Sequence, residues 1–139
     1  MTPEDRAALA TDVQQAEGCR LAAYQDTLGV WTIGYGTNLQ ELTIDGALAL
    51  TWLRDKLSAS ETEAQRFPWF AGVSAVRQRA IVEMIYNLGL TRFLGFTRLL
   101  AAMASGQFAI AAQEALSSRW AAQVGPTRSG RIAQMLREG

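Results

Sequence analysis

In this chain of 139 residues, the hydrophobic pattern is typical of strands in a short segment near the N-terminus and of helices over most of the remainder. Near the N-terminus, two short strand-like runs extend from Leu21 to Tyr24 and from Val30 to Tyr35, and the second is rich in β-branched and aromatic residues. The loop Gln-Asp-Thr-Leu-Gly between them consists of turn-forming residues, and Gly-Tyr-Gly-Thr-Asn-Leu after them can add a third, shorter strand. The pattern predicts a small β-hairpin that makes up a minor part of the chain.

A helix is predicted in front of the hairpin. Thr2 suits the N-cap, Pro3 suits the first helical position, and Gly18 is a typical stop. Apolar residues follow at helical spacing in between, at Leu9, Val13 and Ala16.

From Thr43 onward the pattern is helical. A long helix capped by Thr43 is predicted to run to about Arg66, where Phe-Pro-Trp breaks it. Its apolar positions are Leu50, Leu53 and Leu57. Ser74 can cap the next helix, which Gly89 ends. The apolar face of that helix is Val76, Ala80, Ile81, Met84, Ile85 and Leu88. Further helices are predicted over 96–105, 108–117 and 126–137, which gives an α+β chain.

The composition narrows the possible chemistry. Apolar residues make up 49% and charged residues 19%, as in ordinary soluble domains, and no apolar stretch approaches the roughly 20 residues that span a membrane. The first ten residues lack the pattern of a signal peptide. There is no histidine, which excludes Ser-His-Asp and Cys-His mechanisms and argues against a catalytic zinc. Any proton chemistry therefore falls to carboxylates, Tyr, Lys or Arg.

The cysteine and the tryptophans allow predictions about side-chain packing. Cys19 is the only cysteine, so no internal disulfide can form, and we predict that its side chain is a small buried hydrophobe. The tryptophans could stack on sugars, but packing is the commoner role, and we predict packing for all four. They are Trp31, Trp52, Trp69 and Trp120.

The net charge of zero hides a division along the chain. Residues 1–64 hold ten acidic and four basic residues, whereas residues 65–139 hold three acidic and nine basic ones, all arginines. The balance is therefore −6 in the first part and +6 in the second. Such asymmetry indicates either two parts with different electrostatic roles or a surface that segregates by chance.

Three side chains near the hairpin are candidates for catalysis. Glu17 ends the first helix, Asp26 lies in the hairpin loop, and Thr32 lies in the second strand. Paired carboxylates suit hydrolysis of a glycosidic bond, in which one donates a proton and the other activates water or balances positive charge. A threonine hydroxyl can hold that water. An aspartate in such a loop is also commonly a simple turn former.

The full stretch over residues 17–36, E-G-C-R-L-A-A-Y-Q-D-T-L-G-V-W-T-I-G-Y-G, resembles the catalytic segment of the phage-type lysozymes, glycoside hydrolase family 24. In that family Glu, Asp and Thr at these spacings form the catalytic triad, which here would be Glu17, Asp26 and Thr32. The resemblance continues over 79–89, 93–96, 118–120 and 125–131. It implies a mostly helical, lysozyme-like α+β fold in one domain, 1–139.

Within that domain the resemblance implies two lobes. A hairpin lobe at about 13–45 would be joined by a connecting helix at about 44–66 to a helical lobe at about 67–139, to which the first helix would also belong. Substrate would lie in the cleft between the lobes. The implied substrate-binding residues are Gly36, Asn38, Tyr86 and Asn87, and Arg128 would support catalysis by pairing with Glu17.

The sequence departs from the family at several positions. Thr37 replaces a common histidine, and two sugar-contact positions carry Leu99 and Glu114. The leucine lacks a hydroxyl, and the glutamate adds a charge. These changes leave the sugar specificity of those positions open.

The resemblance implies an endolysin-type muramidase that cleaves the β-1,4 bond between N-acetylmuramic acid and N-acetylglucosamine in peptidoglycan, with inversion and without metal or cofactor. It implies a monomer that binds glycan strands but neither nucleic acid nor membranes. Such an enzyme would be made in the host cytoplasm and released, with a holin, to the periplasmic wall. Three alternatives stay open: a wall-binding module with weak turnover, a wall-penetrating part of a phage particle, and a chitin-directed glycosidase.

Overall fold

The computed structural model describes all 139 residues, and the chain divides into two units, Met1–Gly46 and Ala47–Gly139. The first unit holds helix α1, Pro3–Glu17, and an antiparallel sheet in the order β1-β2-β3. Its strands are β1 (Arg20–Gln25), β2 (Trp31–Gly34) and β3 (Thr37–Asn38). The predicted hairpin and the short third strand are therefore confirmed.

Helix α1 begins with a reciprocal cap. The hydroxyl of Thr2 accepts a hydrogen bond from the backbone N–H of Asp5 at 3.1 Å, and the Asp5 carboxylate accepts one from the backbone N–H of Thr2 at 3.0 Å. The helix ends at Glu17, because Gly18 adopts a φ of 66°. None of its side chains is buried, so Leu9 and Val13 are exposed.

The second unit is helical. Its helices are α2 (Gly46–Ala64, which starts on the last residue of the first unit), α3 (Ala75–Leu88), α4 (Leu90–Phe93), α5 (Thr97–Ala104), α6 (Phe108–Leu116), α7 (Arg119–Val124) and α8 (Pro126–Glu138). A single 3-10 turn covers Phe70–Gly72. The α+β fold class is confirmed, whereas α4 and α7 were not predicted. The long helix starts three residues later than the expected cap at Thr43.

The core of the second unit forms around α3. Its predicted apolar face is confirmed, because Ala80, Ile81, Met84 and Ile85 are buried. They pack with large buried side chains from the later helices, namely Phe93, Leu99, Met103, Ile132 and Leu136. Helix α6 adds three fully buried alanines, which let it pack closely on its neighbours.

The predicted apolar face of α2 is wrong for its first half. Leu50 and Leu53 are 43% and 39% exposed. Burial begins only near the end of the helix, at Ser60 and Ala64. The sequence pattern alone therefore did not indicate which part of this long helix has packing partners.

Three other packing predictions are corrected. Trp69 and Trp120 pack as expected, but Trp31 and Trp52 are about half exposed. Cys19 is also exposed. It follows the positive-φ Gly18, at the point where the chain leaves an exposed helix for the first strand, so nothing covers it.

The division at Gly46 groups α1 with the hairpin and nearly all of α2 with the later helices. The expected boundaries of the two lobes, including the packing of the first helix on the helical lobe, stay predictions. None of the helices is both long and apolar enough to cross a membrane.

Candidate active site

The carboxylate of Glu17 lies against Gly36. A Cβ atom built on Gly36 would come within 3.3 Å of Oε2 of Glu17, and the backbone there has a φ of 85°. A side chain at position 36 would thus meet both a strained backbone and the carboxylate. Gly36 follows strand β2, so the structure brings the end of α1 next to the turn after that strand.

Asp26 is the turn former of the hairpin loop. Its Oδ1 accepts hydrogen bonds from the backbone N–H groups of Leu28 and Val30, both at 2.8 Å. Its own N–H donates to the carbonyl of Val30 at 3.0 Å, and its carbonyl accepts from Gly29 at 3.0 Å. The commoner structural role is therefore real here, yet it occupies only Oδ1. Oδ2 accepts no hydrogen bond within the first unit and is available to a ligand.

Thr32 is joined to Asp26 through the backbone of Val30. The Thr32 side chain is 5% exposed. Its hydroxyl donates to the Val30 carbonyl at 3.0 Å, the same oxygen that accepts from the N–H of Asp26. Because that bond uses the hydroxyl proton, the lone pairs of Oγ1 can still accept a hydrogen bond, for example from water.

Strand pairing places two further side chains beside Thr32. Its register partners are Tyr24 on β1 and Asn38 on β3, so the three side chains share one face of the sheet. The side-chain oxygen of Asn38 accepts from the N–H of Gln40 at 2.9 Å, which fixes its amide group. Asn38, a candidate substrate-binding residue, is therefore next to the candidate threonine.

The other candidate residues lie in the second unit. Tyr86 is half-buried, and the ammonium group of Lys56 lies 4.6 Å from the centroid of its ring. Asn87 is exposed, and its Oδ1 accepts a hydrogen bond from Nε1 of the buried Trp120 at 2.8 Å. This bond leaves the amide N–H groups of Asn87 free to donate.

Arg128 contacts a residue that the sequence pattern did not single out. Its Nε donates to Oε1 of Glu83 at 3.0 Å, and Nη2 of Arg131 donates to the same oxygen at 2.6 Å. Arg128, Glu83 and Tyr86 line one cavity of about 700 Å³ beside α2 and α3. The expected pairing of Arg128 with Glu17 stays a prediction.

Two positions that departed from the family pattern have local explanations. Leu99 is fully buried in the core, so its missing hydroxyl changes no exposed surface. The carboxylate of Glu114 pairs with Nη2 of Arg98 at 3.0 Å. The added charge is therefore held within the second unit by a neighbouring arginine.

The first unit thus presents a carboxylate beside a glycine turn, a second carboxylate with one free oxygen, and a hydroxyl that can accept a hydrogen bond. One carboxyl group can donate a proton, while the other, together with the hydroxyl, can bind and activate water. This is the set of groups that acid–base hydrolysis of a glycosidic bond requires.

Comparison with known proteins gives the family. The model of the family described as phage lysozyme matches residues 14–137. The chain is also 26% identical over 154 residues to a protein of Dictyostelium discoideum named Probable T4-type lysozyme 1, covering 88% of this chain and 89% of that protein. The matched region includes all the candidate residues, and the chain therefore belongs to the phage lysozyme family and is a glycoside hydrolase of the lysozyme type.

Proposed function

We propose that this lysozyme is a muramidase that hydrolyses the β-1,4 bond between N-acetylmuramic acid and N-acetylglucosamine in peptidoglycan, with inversion at the anomeric carbon. The observation that carries the proposal is the shared backbone of Val30, which joins Asp26 to Thr32 and leaves Oδ2 and Oγ1 free. Family membership supports the substrate class.

In the proposed reaction, Glu17 begins protonated and donates its proton to the glycosidic oxygen as the bond to the anomeric carbon breaks. A water molecule donates hydrogen bonds to Oδ2 of Asp26 and to Oγ1 of Thr32. Asp26 takes one proton as the water oxygen attacks the anomeric carbon from the opposite face. The products are an alcohol on the leaving sugar and a new reducing end of inverted configuration.

The remaining candidate residues bind the sugars in this proposal. Gly36 allows close approach to the backbone beside Glu17, and Asn38 and Asn87 offer amide groups. Tyr86 offers an aromatic face for a sugar ring. Arg128 stabilises, through its positive charge, the carboxylate that Glu17 becomes once its proton has passed to the leaving oxygen.

The biological setting is also a proposal. The resemblance to phage endolysins supports a monomer that is made in a bacterial host's cytoplasm and reaches the periplasmic wall after holin-dependent release. Use of the same chemistry by a wall-penetrating phage particle is the alternative.

Mass spectrometry of fragments released from purified peptidoglycan tests the reaction. We expect fragments that end in a reducing N-acetylmuramic acid. Reducing N-acetylglucosamine ends would reveal a glucosaminidase, and anhydro ends would reveal a lytic transglycosylase, so either would overturn the proposal. A parallel digestion of chitin oligomers tests the chitin-directed alternative, and NMR of the first-formed anomer tests inversion.

Glu17→Gln tests the proposed acid. The amide is nearly isosteric but cannot donate the proton, so we expect turnover to fall by roughly a hundredfold to ten-thousandfold. Asp12→Asn is the matched control, since it removes another exposed carboxylate from the same helix. Near wild-type turnover by folded Glu17→Gln protein would refute the assignment.

A further inference from the structure

Glu83 connects helix α3 to two arginines of α8. A single oxygen, Oε1, accepts from Nε of Arg128 at 3.0 Å and from Nη2 of Arg131 at 2.6 Å. Residues three apart on a helix lie on the same face, so α8 presents both guanidinium groups to this one carboxylate. The side chains of Glu83 and Arg128 are only 24% and 33% exposed, which makes this the most sheltered ion pair in the second unit.

The bond to Glu83 uses only the inner nitrogen of Arg128. A guanidinium group carries five N–H donors in a rigid planar fork. Here Nε is held, while Nη1 and Nη2 donate to no acceptor within the second unit. Glu83 therefore fixes the plane of the guanidinium and leaves its outer edge free for a second anion.

The charges around the cavity give Glu83 a second effect. Arg54 and Glu61 of α2 and Arg79 of α3 line the same cavity as Glu83 and Arg128. Without the carboxylate of Glu83, Arg128 would share this wall with other arginines and would lose its hydrogen-bonded partner. Repulsion from Arg54 and Arg79, and attraction to Glu61 as the remaining carboxylate on this wall, would then favour other side-chain conformations of Arg128.

We propose that Glu83 is a positioning residue for the glycosidase reaction, one that acts by fixing Arg128 through Nε and leaving its terminal nitrogens free for the role that the proposed function gives this arginine. This inference rests on the proposed function, in which Arg128 supports the acid. Glu83 touches neither the substrate nor the reacting atoms in this account.

Two substitutions separate positioning from charge. Glu83→Gln keeps an oxygen that can accept from Nε of Arg128, whereas Glu83→Leu has a similar size and no acceptor. On soluble, uncross-linked peptidoglycan strands we expect Glu83→Leu to lower kcat by roughly tenfold to a hundredfold through misplacement of Arg128, with KM little changed. We expect Glu83→Gln to recover most of that loss.

A double-mutant cycle tests whether the effect passes through Arg128. In an Arg128→Ala background, Glu83→Leu should cause no further fall in kcat. Glu138→Gln is the matched control, because it removes a glutamate from the far end of α8, ten residues or about 15 Å from Arg128 along the helix. All assays are run well below the unfolding midpoints, with the folded fraction checked by circular dichroism.

Three results would contradict the positioning role of Glu83, each for a different reason. Unchanged kcat in folded Glu83→Leu protein would show that the ion pair is structural only, and equal losses for Gln and Leu would show an effect of charge alone. An undiminished further loss in the Arg128→Ala background would show that Glu83 acts independently. Any of these overturns the inference while the proposed function stands, provided that wild type cleaves and Glu17→Gln does not. An inactive wild type would overturn both.

Discussion

Gly36 combines a positive-φ backbone with a position beside the candidate catalytic residue Glu17. Gly36→Ala would force a side chain onto a φ of 85° and place its Cβ 3.3 Å from Oε2 of Glu17. We expect a loss of about 1–2 kcal/mol in the free energy of unfolding from the left-handed backbone and a larger, separate loss of activity from displacement of Glu17. Urea unfolding and turnover of soluble strands measure the two effects.

Gly106 provides the matched control for backbone strain. It has a φ of 71° in the turn before α6, and a Cβ there would meet nothing within 4 Å. Gly106→Ala should therefore cost similar stability and leave turnover unchanged. If both variants kept full activity, the contact between Gly36 and the carboxylate would have no catalytic importance.

Individual residues also show how much of the candidate site could be predicted from the sequence alone. Glu17, Asp26 and Thr32 were identified as candidates from one continuous motif, because their spacing is set by a single hairpin and its preceding helix. The partner of Arg128 was not found, because Glu83 lies 45 residues earlier and meets it only when α3 packs against α8. The bond between Trp120 and Asn87 depends in the same way on tertiary packing.

At the scale of elements, the cap of α1 links pH to helix stability. The backbone N–H and the hydroxyl of Thr2 donate to the Asp5 carboxylate and hold its pKa below the ordinary value of 3.8. A lowered folded-state pKa means that the stabilisation is complete above about pH 3.8 and is lost as the pH falls through the folded value. The pKa of Glu4 is lowered too, chiefly by its own backbone N–H.

We therefore expect the first turn of α1 to fray on acidification below about pH 3.8. Amide chemical shifts of this turn, followed by NMR across that range, measure the change. Asp5→Asn should remove most of the pH dependence, because the asparagine cannot titrate. Wild-type amide chemical shifts that stay constant as the pH falls through this range would contradict the prediction.

Arg77 stabilises the end of another helix. Its Nε and Nη2 donate to the carbonyls of Leu136 and Arg137, each at 2.9 Å, and its guanidinium carbon lies 3.8 Å from the centroid of the Phe108 ring. The last carbonyls of α8 thus have partners that the helix itself cannot supply.

Arg77→Met should lower the free energy of unfolding by about 1–3 kcal/mol, because charged donors to two carbonyls are lost. Arg79→Met is the control, since Arg79 is exposed on the same helix and has no ion pair. Chemical denaturation measures both variants, and equal stabilities would contradict the capping role of Arg77.

The start of helix α3 was predicted correctly because a capping residue marks it in the sequence. Ser74 caps α3 as predicted, through a bond from the N–H of Arg77 to its hydroxyl at 3.2 Å. Helix α7 was missed because its six residues are too few to show an amphipathic period, although Ser118 caps it in the same way. Helix α2 starts at Gly46, directly after Asp45, which is itself a preferred N-cap residue, so the prediction placed the cap two residues too early at Thr43.

At the scale of the whole molecule, the charge division follows the two units. Met1–Gly46 contains seven acidic and two basic residues, a balance of −5, and Ala47–Gly139 contains six and eleven, a balance of +5. Peptidoglycan carries free carboxylates on its peptide stems. A basic helical unit would attract such a polymer at long range, and salt screens this attraction beyond about 8 Å at physiological ionic strength.

We expect lysis of whole walls to fall steeply as salt is added, while cleavage of a short neutral oligosaccharide changes little. Arg66→Glu/Arg92→Glu should reproduce the effect of salt on walls, since both side chains are exposed and unpaired. Arg98 is unsuitable because it already pairs with Glu114. Wall lysis that is indifferent to salt would mean that the charge division has no role in binding.

The exposed thiol of Cys19 allows a fluorescent probe to be attached to the enzyme at a known position. The chain has no other cysteine, so a maleimide fluorophore would attach at one position without any prior substitution. That position is two residues from Glu17, where the emission of an environment-sensitive dye should respond when a glycan displaces water. In a Glu17→Gln background the dye would report binding without turnover, which would let association be timed separately from bond cleavage.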